Sequence, residues 1–376
     1  MTVTKLPFHA DHIGSLIRPE ALSRTQEQAD AGQVTAEQLA ATQKAAIADI
    51  VNKQQEHGVR AISSGEFDRK YYFSGFFERL GGFREVEPVP WDLVRLSAPP
   101  IAALKKAGKQ YPMAALCESK IEYKKSPYLE NWKMLRECVP REQWAECKFT
   151  MPPPCYFHLR LASGKCYSPE AYSNDEDFFA DLAKAYRQEF KTLYDEGSLR
   201  DEGVDPDKLF DTYLKAHNDA IADRPEGLHV GLHVCRGNFS KSMHFSEGSY
   251  EKIAEKFFTV LNYDTFFLEY DNPRSGGFEP LRFLPKHKNV VLGVITTKEP
   301  ELEDAQVIKH RVLDAAKIIA DGQGRSLEEA LEQVGISPQC GFASVAVGAE
   351  GMTEEKMFAK LKLVNDVAKE IWPGKA

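Results

Sequence analysis

The chain contains no apolar run approaching the roughly 20 residues that span a bilayer. Its opening, MTVTKLPFHADHIGS, lacks the apolar core of a signal peptide. These two absences predict a cytoplasmic protein with no membrane partner. There is also no Lys/Arg-rich block. With 48 Lys plus Arg against 56 Asp plus Glu, the net charge is −8, which argues against the cationic surface a nucleic-acid partner requires. Cysteine is scarce: Cys117, Cys138, Cys147, Cys155, Cys166, Cys235 and Cys340 make an odd number without regular spacing. That is unlike a secreted disulfide framework, so they read as free thiols unless something binds them. Internal repeats and low-complexity tracts are missing too, and a single domain over 1–376 is the simplest organisation. The only linker-like stretch is the Pro-rich Glu85 to Pro100.

What is present is an ordinary globular composition, 43% apolar and 28% charged, in 376 residues. Such a chain buries a full core without a metal staple, so any metal is there for chemistry. Short β-branched and aromatic runs alternate with segments of helical period, which is the α/β pattern of strands joined by crossover helices. Strands are expected at His9 to Gly14, Arg60 to Glu66, Lys148 to Met151, His229 to Cys235, Thr265 to Tyr270, Val290 to Thr296 and Ile336 to Cys340. Helices are expected after Pro19, from Thr35 to Gly58, from Asp175 to Tyr194, and from an Asp205 cap to about Ile221. Further helices follow at Tyr250 to Leu261, Glu301 to Asp321, Ser326 to Val334 and Glu354 to Ile371. Residues 67–145 read as an insertion with an excursion strand at Ala114 to Ile121. The seven barrel strands are one short of a closed (β/α)8 TIM barrel. The gap falls at residues 197–206, GSLRDEGVDP, where no buried strand fits.

Chemistry enters at His233-Val234-Cys235. Residues i and i+2 of a strand face the same side, so imidazole and thiol can reach one ion, and that pair favours zinc. A core His packed beside a core Cys is the competing reading, and the dipeptide needs partners to displace it. Two later strand ends offer them. Glu269 follows Phe266, Phe267 and Leu268, where a buried carboxylate is costly unless paired or metal-bound. Cys340 closes Ser337-Pro338-Gln339-Cys340-Gly341. A surface carboxylate and a small packed thiol are the respective alternatives. Parallel strands would bring all three ends to one rim.

The strings HADHIGSLIRP, ISSGEFDR, HVCRGNF, FFLEYDNPRSGGFEPL and SPQCGFAS, in this order, resemble the catalytic half of cobalamin-independent methionine synthase, particularly its short single-barrel relatives. The resemblance covers nearly the whole chain. It implies a barrel of the methionine synthase and uroporphyrinogen decarboxylase type. It also implies zinc (Zn2+) held by His233, Cys235, Glu269 and Cys340, with Ile13, Gly14, Ser15 and Glu66 holding the amino-acid part of a homocysteine-like thiol. The nearby Arg18, Arg69, Arg236 and Arg274 can bind an acidic group or serve in ordinary ion pairs; His244 and Asp271 are further candidates.

The expected function is a zinc-dependent S-methyltransferase acting on a small-molecule thiol, homocysteine favoured, and a methyl or alkyl donor. The metal stabilises the thiolate near neutral pH. The family's amine-binding Asp strand would fall at GSLRDEGVDP and is absent there. Gly293 to Lys298 carries no His in the place of the full-length enzymes' proton donor, so no general acid is assigned. The folate-stacking Trp is missing near Phe149 to Tyr156. Alkyl transfer to another thiol, as in epoxide opening by coenzyme M, and a catalytically silent barrel are the competing readings; a metal-free decarboxylase would not need His233, Cys235 and Cys340 together. Methyl donor and oligomeric state are left open.

Overall fold

The computed structural model describes residues 6–96, 99–106, 108–195, 207–225, 227–237, 248–343 and 349–375. The N-terminal part carries α1 (Glu20–Asp30), α2 (Ala36–Glu56), β1 (Gly81–Val86), α3 (Pro99–Lys106), β2 (Ala114–Glu122), α4 (Leu129–Arg136), α5 (Tyr156–Arg160), α6 (Asp175–Asp195) and α7 (Asp207–Ala220). The C-terminal part runs β3 (Gly231–Val234), α8 (Glu251–Val260), β4 (Thr265–Glu269), β5 (Asn289–Ile295), α9 (Ala305–Gln323), α10 (Leu327–Leu331), β6 (Val334–Pro338) and α11 (Glu354–Ile371). The α/β class is as expected. Helix α2 begins where its cap dictates: Thr35 Oγ1 accepts from Gln38 N and Gln38 Oε1 from Thr35 N, a reciprocal capping box. Among the described residues no helix is long and apolar enough to cross a membrane.

Strands β3 to β6 form one parallel sheet in the order β3-β4-β5-β6, with Leu232 beside Phe266, Phe266 beside Val290, and Leu292 beside Ile336. Every residue of β4, β5 and β6 is buried, as a parallel sheet covered on both faces requires. Because the strands run the same way, their C-terminal ends lie along one rim. That rim holds His233, Glu269 and the turn after β6.

Three expected strands are far shorter in the structure. The segment His9 to Gly14 makes one parallel bridge, Ala10 to Ile336, and Arg60 to Glu66 makes one, Ile62 to Cys147. Lys148 to Met151 forms no strand. The polar groups explain this. The Lys148 ammonium bonds Asp11 Oδ1 at 3.0 Å and the His12 carbonyl at 2.5 Å. Gly65 and Glu66, at φ 66° and 62°, turn the second segment out of extended conformation. Residues 196–206, including the expected strand gap and the Asp205 cap, lie outside the described residues, as does His244.

The excursion strand Ala114 to Ile121 is β2, and it pairs antiparallel with β1, which the sequence pattern did not announce. The pair bulges between Gly81 and Phe83. Gly82 sits there at φ 93°, where a Cβ would lie 2.5 Å from the Lys120 carbonyl oxygen, so only glycine fits.

Two buried histidines make stability pH-dependent. Burial pushes His12 down to about 4 and His217 down to about 3. The unfolded imidazoles take up protons near pH 6.5, ahead of the folded ones. Stability is therefore lost as pH falls from 6.5 through these depressed values, by about 2 kcal/mol per histidine at pH 5. Urea unfolding at pH 7.5 and pH 5 is expected to show the loss, and His217→Gln to reduce it; an equal loss in the variant refutes the assignment.

Candidate metal centre

His233 leaves β3 with Nδ1 donating to the Phe267 carbonyl at 3.2 Å. This bond aims Nε2 away from the sheet, and Nε2 is buried with no partner. Glu269 ends β4, fully buried; its Oε2 accepts from Arg274 at 3.0 Å while Oε1 has no partner. Cys340 lies two residues past β6, and its sulfur is 3.7 Å from that of Cys235. One ligand atom from each of His233, Cys235, Glu269 and Cys340 falls within 4.8 Å of the other three. Side chains up to 107 positions apart thus meet at one point of the rim.

Neighbours fix the ligands. The Tyr250 hydroxyl accepts from Glu269 N at 3.1 Å, and the Tyr250 ring carries the Arg236 guanidinium at 4.0 Å, bracing the ends of β3 and β4 together. Gln339, just before Cys340, accepts from Thr297 N at 2.6 Å and donates from its own N to the Ile295 carbonyl at 2.7 Å. Gly293 pairs with Glu269 across the sheet, and a Cβ on it would lie 2.6 Å from Gln339 Cα and 3.0 Å from the Leu268 oxygen. These are backbone atoms that cannot yield. Gly293→Ala is expected to cost about 2 kcal/mol in urea unfolding; unchanged stability would show that the strand end shifts freely.

The donor set fits a divalent ion. Cys235 is the exposed member of the cluster, and its hydrogen bond with Cys340 pushes its thiol up to about 12. Burial, and then Cys235, push Glu269 up to about 8 against the pull of Lys298 and His233. Left alone, Cys235 and Glu269 favour their neutral forms, and an imidazole nitrogen and a carboxylate oxygen are left unsatisfied, each at a cost. A cation reverses both penalties. Two thiolates at about 2.3 Å from a tetrahedral zinc would have sulfurs roughly 3.8 Å apart, close to the distance seen. A core His beside a core Cys does not account for the two orphaned atoms.

No family model matches the chain. Similarity to individual proteins is extensive. Uncharacterized protein YxjH of Bacillus subtilis is 34% identical, covering 98% of this chain and 96% of its own. Methionine synthase of Pyrococcus horikoshii is 24% identical over 88% of this chain and 85% of its own. A Listeria monocytogenes structure described as a candidate vitamin-B12-independent methionine synthase superposes with a TM-score of 0.72 at 29% identity, covering 98% of this chain and 99% of that one. The chain belongs to the cobalamin-independent methionine synthase family.

For a member of the methionine synthase family, the wall beside the cluster is as informative as the cluster. Phe342 N donates to the Ser15 carbonyl at 3.0 Å, and a Cβ on Gly341 would lie 1.8 Å from Ser15 Oγ, so Ser15 is pressed against the Cys340 turn. Gly14 accepts from Ser63 Oγ at 2.8 Å, and Ile13 packs with Leu6, Phe267 and Val291. Glu66 is buried; its Oε1 accepts from Thr150 Oγ1 at 2.8 Å and Arg69 at 2.9 Å, and its Oε2 has no partner. A Cβ on Gly14 would lie 3.6 Å from that Oε1. The structure therefore joins Ile13, Gly14, Ser15 and Glu66 in one wall. Arg69 and Arg18 serve this wall internally, Arg18 donating to the Ala343 and Glu66 carbonyls. Asp271 is taken by Arg274 at 3.3 Å. Thr150, Tyr250 and Gln339 were not foreseen as site residues, because each acts through a partner remote in sequence and carries no local motif.

Proposed function

We propose that this protein is a zinc-dependent S-methyltransferase of the methionine synthase type, working in the cytoplasm on a small-molecule thiol and a methyl or alkyl donor, with homocysteine the favoured acceptor. The observation that carries the reading is the convergence of two thiols, an unpartnered imidazole nitrogen and an unpartnered carboxylate oxygen within 4.8 Å. His233, Cys235, Glu269 and Cys340 would hold the ion. Zinc there supplies a Lewis acid that lowers the proton affinity of a substrate thiol.

The chain's own residues supply recognition and orientation. The unpartnered Oε2 of buried Glu66 is a seat for an ammonium, and the Ile13-Gly14-Ser15 segment supplies backbone groups beside it. Holding the amino-acid end against this wall puts the thiol next to Cys340 and makes its encounter with the donor effectively intramolecular. The architecture we propose for this task is one (β/α)8-type barrel over 1–376 with residues 67–145 inserted. The parallel bridge of Ala10 to Ile336 supports it, because it extends the β3-β4-β5-β6 order past β6, and Ile62 to Cys147 is a further parallel contact between loop-joined segments.

The test is a panel of thiols and donors offered to purified, zinc-loaded protein. Methionine formed from homocysteine and a methyl donor supports the reading. Alkylation of coenzyme M alone reassigns the acceptor, and tight zinc binding without turnover on any thiol indicates a silent barrel.

A further inference from the structure

We propose that Arg274 is a positioning residue of the metal centre: it pins one carboxylate oxygen of Glu269 so that the other is presented to the ion. The proposal rests on the metal reading above. Arg274 follows Glu269 by five residues, in the short turn Pro273–Ser275, where Asn272 accepts from Arg274 N at 3.1 Å and fixes the entry to the turn. Its Nη2 donates to Glu269 Oε2 at 3.0 Å and to Asp271 Oδ1 at 3.3 Å. The arginine side chain is 7% exposed and both carboxylates are 0% exposed. Lys298 Nζ stands 3.7 Å from the other Asp271 oxygen. Two cations thus balance two anions. A divalent ion with two thiolates adds no net charge, so the whole assembly of carboxylates, cations and thiolates is neutral with the ion in place.

The division of labour on Glu269 is the decisive feature. One oxygen is held by a single charged nitrogen, Arg274 Nη2, which also bonds Asp271 and so has its own direction fixed, and the other is buried with no partner and belongs to the ligand cluster. A plain structural staple between β4 and its following turn would leave no reason for that orphaned oxygen. Second-sphere donors of this kind orient ligands and sustain affinity.

The experiment compares wild type, Arg274→Gln, Arg274→Lys, Glu269→Ala and the Glu269→Ala/Arg274→Gln double variant. Zinc affinity is read by competition with a chromophoric chelator, and ligand geometry by the visible spectrum of the cobalt(II)-loaded protein. Arg274→Gln is expected to bind zinc about tenfold more weakly and to shift the cobalt bands. Arg274→Lys should recover to within about threefold because one charged donor returns. Once Glu269 is gone the arginine has nothing to position, so the double variant should match Glu269→Ala within about twofold. Wild-type affinity in Arg274→Gln, or losses that multiply in the double variant, overturns the proposal. If Arg274→Gln does not fold, Arg274→Met is read in its place: weaker zinc binding with displaced cobalt bands supports positioning, and wild-type affinity with superimposable bands overturns it. Wild type without stoichiometric zinc removes the metal reading and this proposal together. Wild type that binds zinc where Cys340→Ala does not, with Arg274→Gln unaffected, removes this proposal alone.

Discussion

Cys340→Ala and Cys235→Ala are each expected to purify folded but without stoichiometric zinc, and to lose thiol-dependent turnover by on the order of a thousandfold. Four-ligand zinc sites carry roughly 10–16 kcal/mol of binding free energy at neutral pH. Removing one ligand of the four forfeits about a quarter of it, about 2.5–4 kcal/mol, or two to three powers of ten in affinity. The fold should survive because its stability lies elsewhere: one hydrophobic cluster runs from Ala10 through Trp132 and Val290 to Trp372, and neither cysteine belongs to it. Elemental analysis of each purified variant, beside its far-UV circular dichroism, checks both halves. Wild-type zinc content in either variant would refute the ligand assignment, and collapse of the dichroism would make the ion structural rather than catalytic.

The cluster's members were legible in the sequence, His233 and Cys235 as a pair from strand geometry and the set of four through the resemblance to the family. His233 and Cys235 share a face of one strand by period-two geometry, and Glu269 stands out as a carboxylate closing the apolar run TFFL. The supporting shell was not legible. Tyr250 reaches Glu269 across 19 residues, Gln339 reaches Thr297 across 42, and Thr150 reaches Glu66 across 84, so only the folded chain juxtaposes them. Fold class and most helices followed from periodicity and caps, as the Thr35 box illustrates. The early strands were overread for a physical reason. Asp11, His12 and Lys148 look tolerable in a short strand, yet their side chains bond one another and nearby carbonyls, and the backbone pairs only once. Strand β1 was underread for the opposite reason: Gly81-Gly82 carries no strand signal, and the bulge that needs glycine exists only because β2 lies alongside.

Glu66→Gln is expected to lower kcat/KM for an amino-acid thiol about a hundredfold, mainly through KM, while leaving an amine-free thiol such as coenzyme M unaffected. The amide keeps the shape and can still accept from Arg69 and Thr150 at the position of Oε1. It then turns an NH2 toward the wall where the carboxylate had an unpartnered oxygen. An ammonium arriving there meets a donor in place of a negative acceptor, and breaking one such buried charged bond costs about 3 kcal/mol. The variant should also lose stability, because the buried Arg69 keeps a hydrogen bond but loses its ionised partner, so the comparison of thiols is made well below the unfolding temperature. Glu66 holds φ 62°, a conformation that costs a non-glycine residue of order 1–2 kcal/mol. Maintaining it in a buried acidic residue makes sense when the side chain must face the substrate. Steady-state kinetics with both thiols separate the possibilities. Equal losses for the two thiols would show that Glu66 merely supports the wall, and no loss for homocysteine would place the amine elsewhere.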